Sequence, residues 1–460
     1  MLGNKLRNWT IAAICLLMLG TACPHPAPKD SNTTSRSVQE FPSGNVISPP
    51  SAMSSASYLI GHFEYKNGQF DNWMPLAFAQ VEVRYTNNTL IDRTYTDAYG
   101  NFTSAIDVPE SGATVICSAS TCSPRVTVLN PETSYTYSAD TYPIFVEPNQ
   151  NKTITIQFRD DNKWFTVFSL HSGLNKGWYY IYNTVGSDVL NATAFYPYGQ
   201  IPEYLQEDRC MYLPVETYDY SDEILHEYAH YVMHRLYGWW WPPNATGNYS
   251  IYAVVNQTMA WTEGWAYYFP LAVAADRVYE AYYESPIDFE NQSWATSGWN
   301  DGDAVIGRVT GALWDIYDSQ NDTSPWNYEN LSDGFVRTWD TTSVVCSSGV
   351  YGLRMFWNLW NETYYDHSQG LKPAAQLEDW TATLLSIFQN SIDYRGQGDA
   401  EVDGVVDGSD NCIVAWRFGS WEEPQPSPRW DYLSDLNHDC VIDGADLAIV
   451  RRHFGESYDC

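Results

Sequence analysis

From Tyr58 to about Phe158, apolar and polar residues alternate in short runs separated by turn formers. "AQVEVRYT" alternates apolar and polar residues, the period of a strand with one buried face, and the β-prone runs "ATVICSAS", "RVTVLN" and "TITIQF" follow at regular spacing. "DAYGNFTSAI" supplies a turn and then a strand. The rhythm predicts an all-β sandwich over 56–158. Beyond about Asp160 the period lengthens. "GWYYIYNTVGSDVL" predicts a helix, and "IPEYLQED" and "MYLPVET" predict strands. "SDEILHEYAHYVMHRLYG" predicts a helix that buries Ile224, Leu225, Ala229, Val232, Met233 and Leu236. "MAWTEGWAYYF" and "DAVIGRVTGALWDIYD" predict two more, the latter with Gly307 and Gly311 placed for tight helix packing. The stretch 159–395 therefore reads as α+β.

The tail, 396–460, carries an internal repeat. "DAEVDGVVDGSDNCIVAWRFG" aligns with "DLNHDCVIDGADLAIVRRHFG" across a Pro-rich connector. Each copy is an acidic loop followed by one helix, so this module is small and α-helical.

The chain start has a different pattern. Lys5 and Arg7 precede an apolar run, Ile11–Leu19, too short to span a bilayer, and small residues follow. This predicts a signal peptide over 1–22, and a flexible linker over 23–55 that is rich in Pro, Ser and Thr. Cys23 directly after the small residues gives two readings, lipid anchoring at Cys23 or plain secretion. No later stretch predicts a transmembrane helix. The protein is expected outside the cell or on its surface.

Composition narrows the partners. The 460 residues carry a formal net charge of −32, which repels nucleic acid. Cys117, Cys122, Cys210, Cys346, Cys412, Cys440 and Cys460 are scattered without a C-x-x-C pair and read as disulfide candidates, and Cys117 with Cys122 could close a small loop. N-x-S/T sequons recur, Asn87, Asn191 and Asn361 among them, and predict an exposed glycoprotein.

"YLIGHFEY", "AFAQVEVRYT" and "RTYTDAYGNFTSAI", with the turn Thr96-Asp97-Ala98-Tyr99-Gly100-Asn101-Phe102, resemble a carboxypeptidase regulatory-like (transthyretin-like) domain. The resemblance implies an accessory module without catalytic residues.

The helix from Ser221 contains His226-Glu227-Tyr228-Ala229-His230, the pattern H-E-x-x-H. Residues four apart share a helix face, so His226 and His230 can present two imidazoles to one metal, with Glu227 beside them. A catalytic zinc needs a third protein ligand and an open position. His234 lies about 12 Å along the helix from His226 and cannot join them; it reads as a surface or core-edge histidine. His171 and His367 have no supporting context. Glu263, in an apolar aromatic helix, needs a strong partner and is the best third ligand. Asp315 is a candidate acceptor for a ligand imidazole, although a capping or surface role is the stronger reading. Oxyanion stabilisation requires a donor, and Tyr267, Tyr268, Arg308 and His367 are unranked candidates. Trp239, Trp240 and Trp241 either wall a binding cleft or cover the core.

With "E-G-x-A" after the H-E-x-x-H helix, the chain resembles gluzincin metallopeptidases. That implies a zincin-like fold for 159–395, one catalytic zinc held by His226, His230 and Glu263, Glu227 as general base, and a peptide or protein substrate. The gap before Glu263, with "GWWWPPNATGNYS", is longer than in well-known members, and no Asp follows Glu263 closely. The alternative is a non-catalytic surface binding protein with a structural or vestigial metal site.

The tail loops space oxygen donors as calcium loops do. The first offers Asp399, Glu401, Asp403, the Val405 carbonyl, Asp407 and Asp410; the second offers Asp435, Asn437, Asp439, the Val441 carbonyl, Asp443 and Asp446. The pair resembles a type I dockerin. That implies two structural calcium ions and a cohesin domain of a scaffold as partner. Cys440 stands where the first loop has Gly404.

Overall fold

The computed structural model describes residues 57–66, 72–158, 164–189, 191–215, 221–247, 249–281, 285–294, 296–318, 334–365, 374–422 and 425–458. The predicted signal peptide, linker, Cys23 and His367 lie outside them.

The first part is built from β1 (Ser57–Lys66), β2 (Trp73–Pro75), β3 (Gln80–Tyr85), β4 (Leu90–Tyr95), β5 (Asn101–Ile106), β6 (Ala113–Ser120), β7 (Val126–Leu129), β8 (Ser138–Asp140), β9 (Ile144–Val146) and β10 (Lys152–Phe158). In one sheet β1 pairs in parallel with β10 and antiparallel with β2 and β5. In the other, β3 lies between β4 and β6, and β8 and β9 pair with β6. The alternation sets the buried face: Leu59, Phe63 and Tyr65 of β1 and Phe102 and Ile106 of β5 are buried. The turn before β5 is held by Asp97, whose Oδ1 accepts from the N–H groups of Tyr99 and Asn101. Gly100 has φ +77° there, and a Cβ would sit 2.5 Å from the Phe63 carbonyl oxygen, so glycine is required.

β7 is a strand as its pattern predicts, but its ladder partner is β11 (Ala192–Phe195). It completes the sheet of β12 (Glu203–Leu205), β13 (Cys210–Tyr212) and β11, in the order β12-β13-β11-β7. Val126 and Val128 are fully buried, and Arg125 pairs with Asp188 at 2.5 Å. The first part and the helical region thus share a sheet.

The helices are α1 (Trp164–Val185), α2 (Ser221–Leu236), α3 (Gln257–Ala274), α4 (Ile306–Tyr317), α5 (Gly334–Ser347), α6 (Leu353–Tyr364) and α7 (Ala374–Gln389), with a small hairpin of β14 (Val278–Tyr279) and β15 (Ile287–Asp288) after α3. α3 is apolar all round and buried from Thr258 to Val273, as a central helix must be. Asn256 caps it by accepting from the Met259 N–H at 2.9 Å. Gly264 lets α4 close on α3, since a Cβ there would meet Val309 Cγ1 at 2.6 Å. The glycines of α4 do not face the histidine helix. Gly307 receives the Trp299 ring and Gly311 the Asn390 side chain, so both make room for side chains from loops and helix ends.

The tail holds α8 (Gly408–Arg417), β16 (Ser420–Trp421), β17 (Val441–Ile442) and α9 (Gly444–His453). β16 and β17 pair antiparallel. Val406, Val414, Trp430, Tyr432, Ile442 and Val450 form its core, which Phe388 of α7 joins.

Among the described residues Cys117, Cys210, Cys346, Cys412 and Cys440 are free, so Cys117 is not bridged to Cys122. An extended strand rises about 3.3 Å per residue, which carries these two apart. No helix among the described residues is long and apolar enough to cross a membrane.

Candidate metal centre

α2 and α3 pack side by side and bring three donors to one point. His226 Nε2 and His230 Nε2 lie 3.1 Å apart. Glu263 Oε2 lies 3.3 Å from His226 Nε2 and 3.4 Å from His230 Nε2. All three residues, and Glu227, are buried. Burial alone would raise the Glu263 carboxyl, but the two imidazoles outweigh it and hold the group well below the usual carboxylate range. For His230, burial works against the charged ring, and the Glu263 carboxylate reverses it, so the net direction is upward.

The donor set fits a cation. With a proton on Nδ1 of each ring, two Nε2 lone pairs and a carboxylate oxygen converge at 3.1–3.4 Å, an arrangement that a cation between them stabilises. Two imidazoles and one carboxylate are the ligand types zinc takes in open, catalytic sites.

Ligand histidines ordinarily donate their other N–H to an oxygen. Here Nδ1 of His226 and of His230 are buried without a hydrogen-bond partner. Aromatic rings fix the imidazoles instead. Tyr267 and Tyr279 stand edge-on to His226 with centroids 4.6 and 6.3 Å away, and Trp241 is 5.8 Å from His230. Asp315 is not their acceptor; it is buried, and its Oδ2 accepts from Asn390 Nδ2 at 2.6 Å.

Glu227 is pushed up chiefly by burial, while His226 and His230 pull it down. The backbone N–H of Tyr204, on strand β12, donates to its carboxylate. The Tyr204 hydroxyl bonds His234 Nδ1 at 2.8 Å. His234 is therefore a buried histidine rather than a surface one. The segment after α2 folds back over it, with Trp239 and Trp241 at 5.4 and 5.5 Å. Trp239 is also flanked by the guanidinium groups of Arg209 and Arg235. Two of the three tryptophans thus cover the helix, and Trp240 is 44% exposed beside Tyr351.

Of the candidate oxyanion donors, Tyr267 reaches the site and two others do not. Tyr268 is buried beside Trp265 and Tyr317. Arg308 is committed to the carbonyls of Asn300 and Ser293 and to Asp301. The residue absent from the sequence reading is Tyr249. Its ring is partly exposed, but its hydroxyl bonds Glu263 and Tyr267. Burial first, then the Glu263 charge, push this phenol well above its ordinary range, so it stays protonated. A readable signal existed: Tyr249 lies in the one loop joining the two donor helices, just before the Asn256 cap.

In the tail, the two acidic loops are folded alike. Asp399 accepts from the Asp403 and Gly404 N–H groups, and Asp435 from those of Asp439 and Cys440. Asp410 and Asp446 each accept from three backbone N–H groups. Carboxylate oxygens of Glu401, Asp407 and Asp410 lie within 4.8 Å of one another. Burial is the largest of the effects that push Asp399 and Asp435 up to about 6 and Glu401 up to about 7. Repulsion from neighbouring carboxylates, such as Asp410 for Asp399 and Asp446 for Asp435, adds to the burial. Cys440 takes φ +67° where Gly404 has +83°.

Residues 193–382 match the family model described as the Mycolysin C-terminal domain. No curated protein matches the chain. Among solved structures, a 9R-lipoxygenase from Cyanothece is similar over 41% of this chain and 27% of its own, at 13% identity. Its TM-score of 0.15 gives that likeness no weight. The family match takes in α2, α3 and α4, with His226, Glu227, His230 and Glu263, and so relates the metal-competent part of the chain to a metallopeptidase-type family.

Proposed function

We propose that the protein is an exported zinc metallopeptidase. The observation that carries this is the convergence of His226 Nε2, His230 Nε2 and Glu263 Oε2 in a buried site with Glu227 alongside. When bound, zinc supplies Lewis acidity and lowers the pKa of a ligated water to about 7. The chain's own residues do the rest. Glu227, oriented by the Tyr204 N–H, accepts the proton of the attacking water and returns it to the leaving amine. Tyr249, kept protonated, donates a hydrogen bond to the carbonyl oxygen as it gains charge. β12 is the edge of its sheet and lies against α2, where an extended peptide can run.

The 56–158 stretch would be an accessory carboxypeptidase regulatory-like module, and 159–395 the zincin-like peptidase. The tail would be a dockerin-like module with two structural calcium ions that binds a cohesin partner, on a chain secreted or lipid-anchored at Cys23. The crowded acids of both loops support the calcium reading.

The test is a peptide-library digest alongside metal analysis. Stoichiometric zinc in the wild type and loss of hydrolysis in Glu227→Gln are expected. Hydrolysis that persists in Glu227→Gln overturns the mechanism. A wild type without zinc points instead to a non-catalytic surface protein.

A further inference from the structure

The tail meets the helical region through the same position of each acidic loop. In the first loop that residue is Val402, buried, with φ +59°. Its carbonyl accepts from Thr381 Oγ1 of α7 at 2.9 Å, and Trp380 lies beside the following Gly404. In the second loop it is His438, with φ +56°. Its ring stacks on Trp294 at 4.7 Å and 16°, and its Nε2 lies 3.3 Å from Asp393 Oδ2.

Trp294 is the centre of this contact. It also stacks on Tyr432 at 5.9 Å and packs on Phe388 at 5.1 Å. Arg395 closes the other side. It binds both oxygens of Asp393, lies 4.2 Å over the Phe388 ring and donates to the Leu433 carbonyl at 2.8 Å. A tether needs an exposed, polar connection with few contacts across it. Between α7 and the first loop, Asn390, Ser391, Ile392 and Arg395 are instead buried.

We propose that the tail and the helical region form one cooperative unit, locked by His438 on Trp294 and Val402 on Thr381, so that the tail braces the donor helices. The connection runs through Ser293, the neighbour of Trp294. Its carbonyl accepts from Arg308 Nη1 at 2.7 Å. Arg308 is fully buried on α4, and its neighbour Val309 sits on Gly264, next to Glu263. The lock itself needs no metal; only its relevance to a metal site rests on the proposed function.

The experiment uses the full chain and the variants His438→Ala, Trp294→Leu and the double variant. Calorimetry and amide exchange are read with and without calcium. In the wild type, tail and helical region unfold in one transition. His438→Ala, a change at an exposed side chain, raises amide exchange in α3 roughly three- to tenfold, as loss of one aromatic contact implies. Because the two residues share one contact, the double variant goes no further than the worse single variant. Separate transitions in the wild type, or an α3 whose exchange is untouched by His438→Ala, overturn the proposal. Zinc content is measured in the same samples. A wild type that binds no zinc yet shows the single transition sinks the peptidase reading and leaves the brace standing.

Discussion

The Tyr204 hydroxyl lies 2.8 Å from His234 Nδ1, while the backbone N–H of the same residue holds Glu227. One residue of β12 therefore grips α2 at two points, seven residues apart in sequence. Tyr204→Phe strands a buried imidazole nitrogen, which costs about 1–3 kcal/mol. It is expected to lower the melting temperature, and any loss of activity should appear with unchanged zinc content. Thermal unfolding and metal analysis of the variant check this.

Glu227 and Glu263 should separate chemistry from metal binding. Glu227→Gln is expected to retain zinc and lose roughly 10²–10⁴-fold in kcat. Glu263→Ala removes one of the three converging donors and should lose the metal while the fold persists. Equal metal content in the two variants would contradict the assignment.

Tyr249→Phe keeps the ring and removes the hydroxyl that bonds Glu263 and Tyr267. A fall in kcat on the order of 10²-fold with KM little changed is the signature of a group that acts as charge develops. A change in KM alone would assign Tyr249 to substrate binding.

Asp222, in the first turn of α2, is pushed up to about 6, mainly by burial, although the Glu280 N–H donates to it at 2.9 Å. Its folded value lies above the unfolded one, so the folded chain holds the extra proton between about pH 4 and 6. Stability from this group is present below that window and is lost as pH rises through it. Asp222→Asn should therefore stabilise at pH 7 and do little at pH 4, by ~2 °C in melting temperature. Melting curves at the two pH values decide it.

Calcium should protect the tail. Chelation is expected to expose the 396–460 stretch to protease, and added calcium to restore resistance. A tail indifferent to both would remove the calcium assignment.

The sequence was most legible where physics is local. The spacing of His226 and His230 puts both on one helix face, and Glu263 stands out because a carboxylate in an apolar helix needs a partner. The alternation of β3, and the Asp97–Gly100 turn with the strand β5 after it, were readable for the same reason. What was hidden depends on chain segments folding back. Tyr249 reaches Glu263 only because its loop returns over the site. His234 is buried only because Trp239 and Trp241 cover it. Asp315 meets Asn390, a residue far along the chain. The parallel partner of β7 has no signal in its own pattern, because parallel pairing is non-local.

That strand has a practical consequence for dissecting the molecule. β7 occupies one side of β11, and β13 the other. A fragment cut just before α1 would leave the β11 backbone groups bare along a row that includes the buried Ala192 and Ala194. Such an edge recruits other chains. Excised peptidase fragments beginning there should therefore aggregate, whereas fragments that begin upstream of Ser57 keep the edge sealed and stay monodisperse.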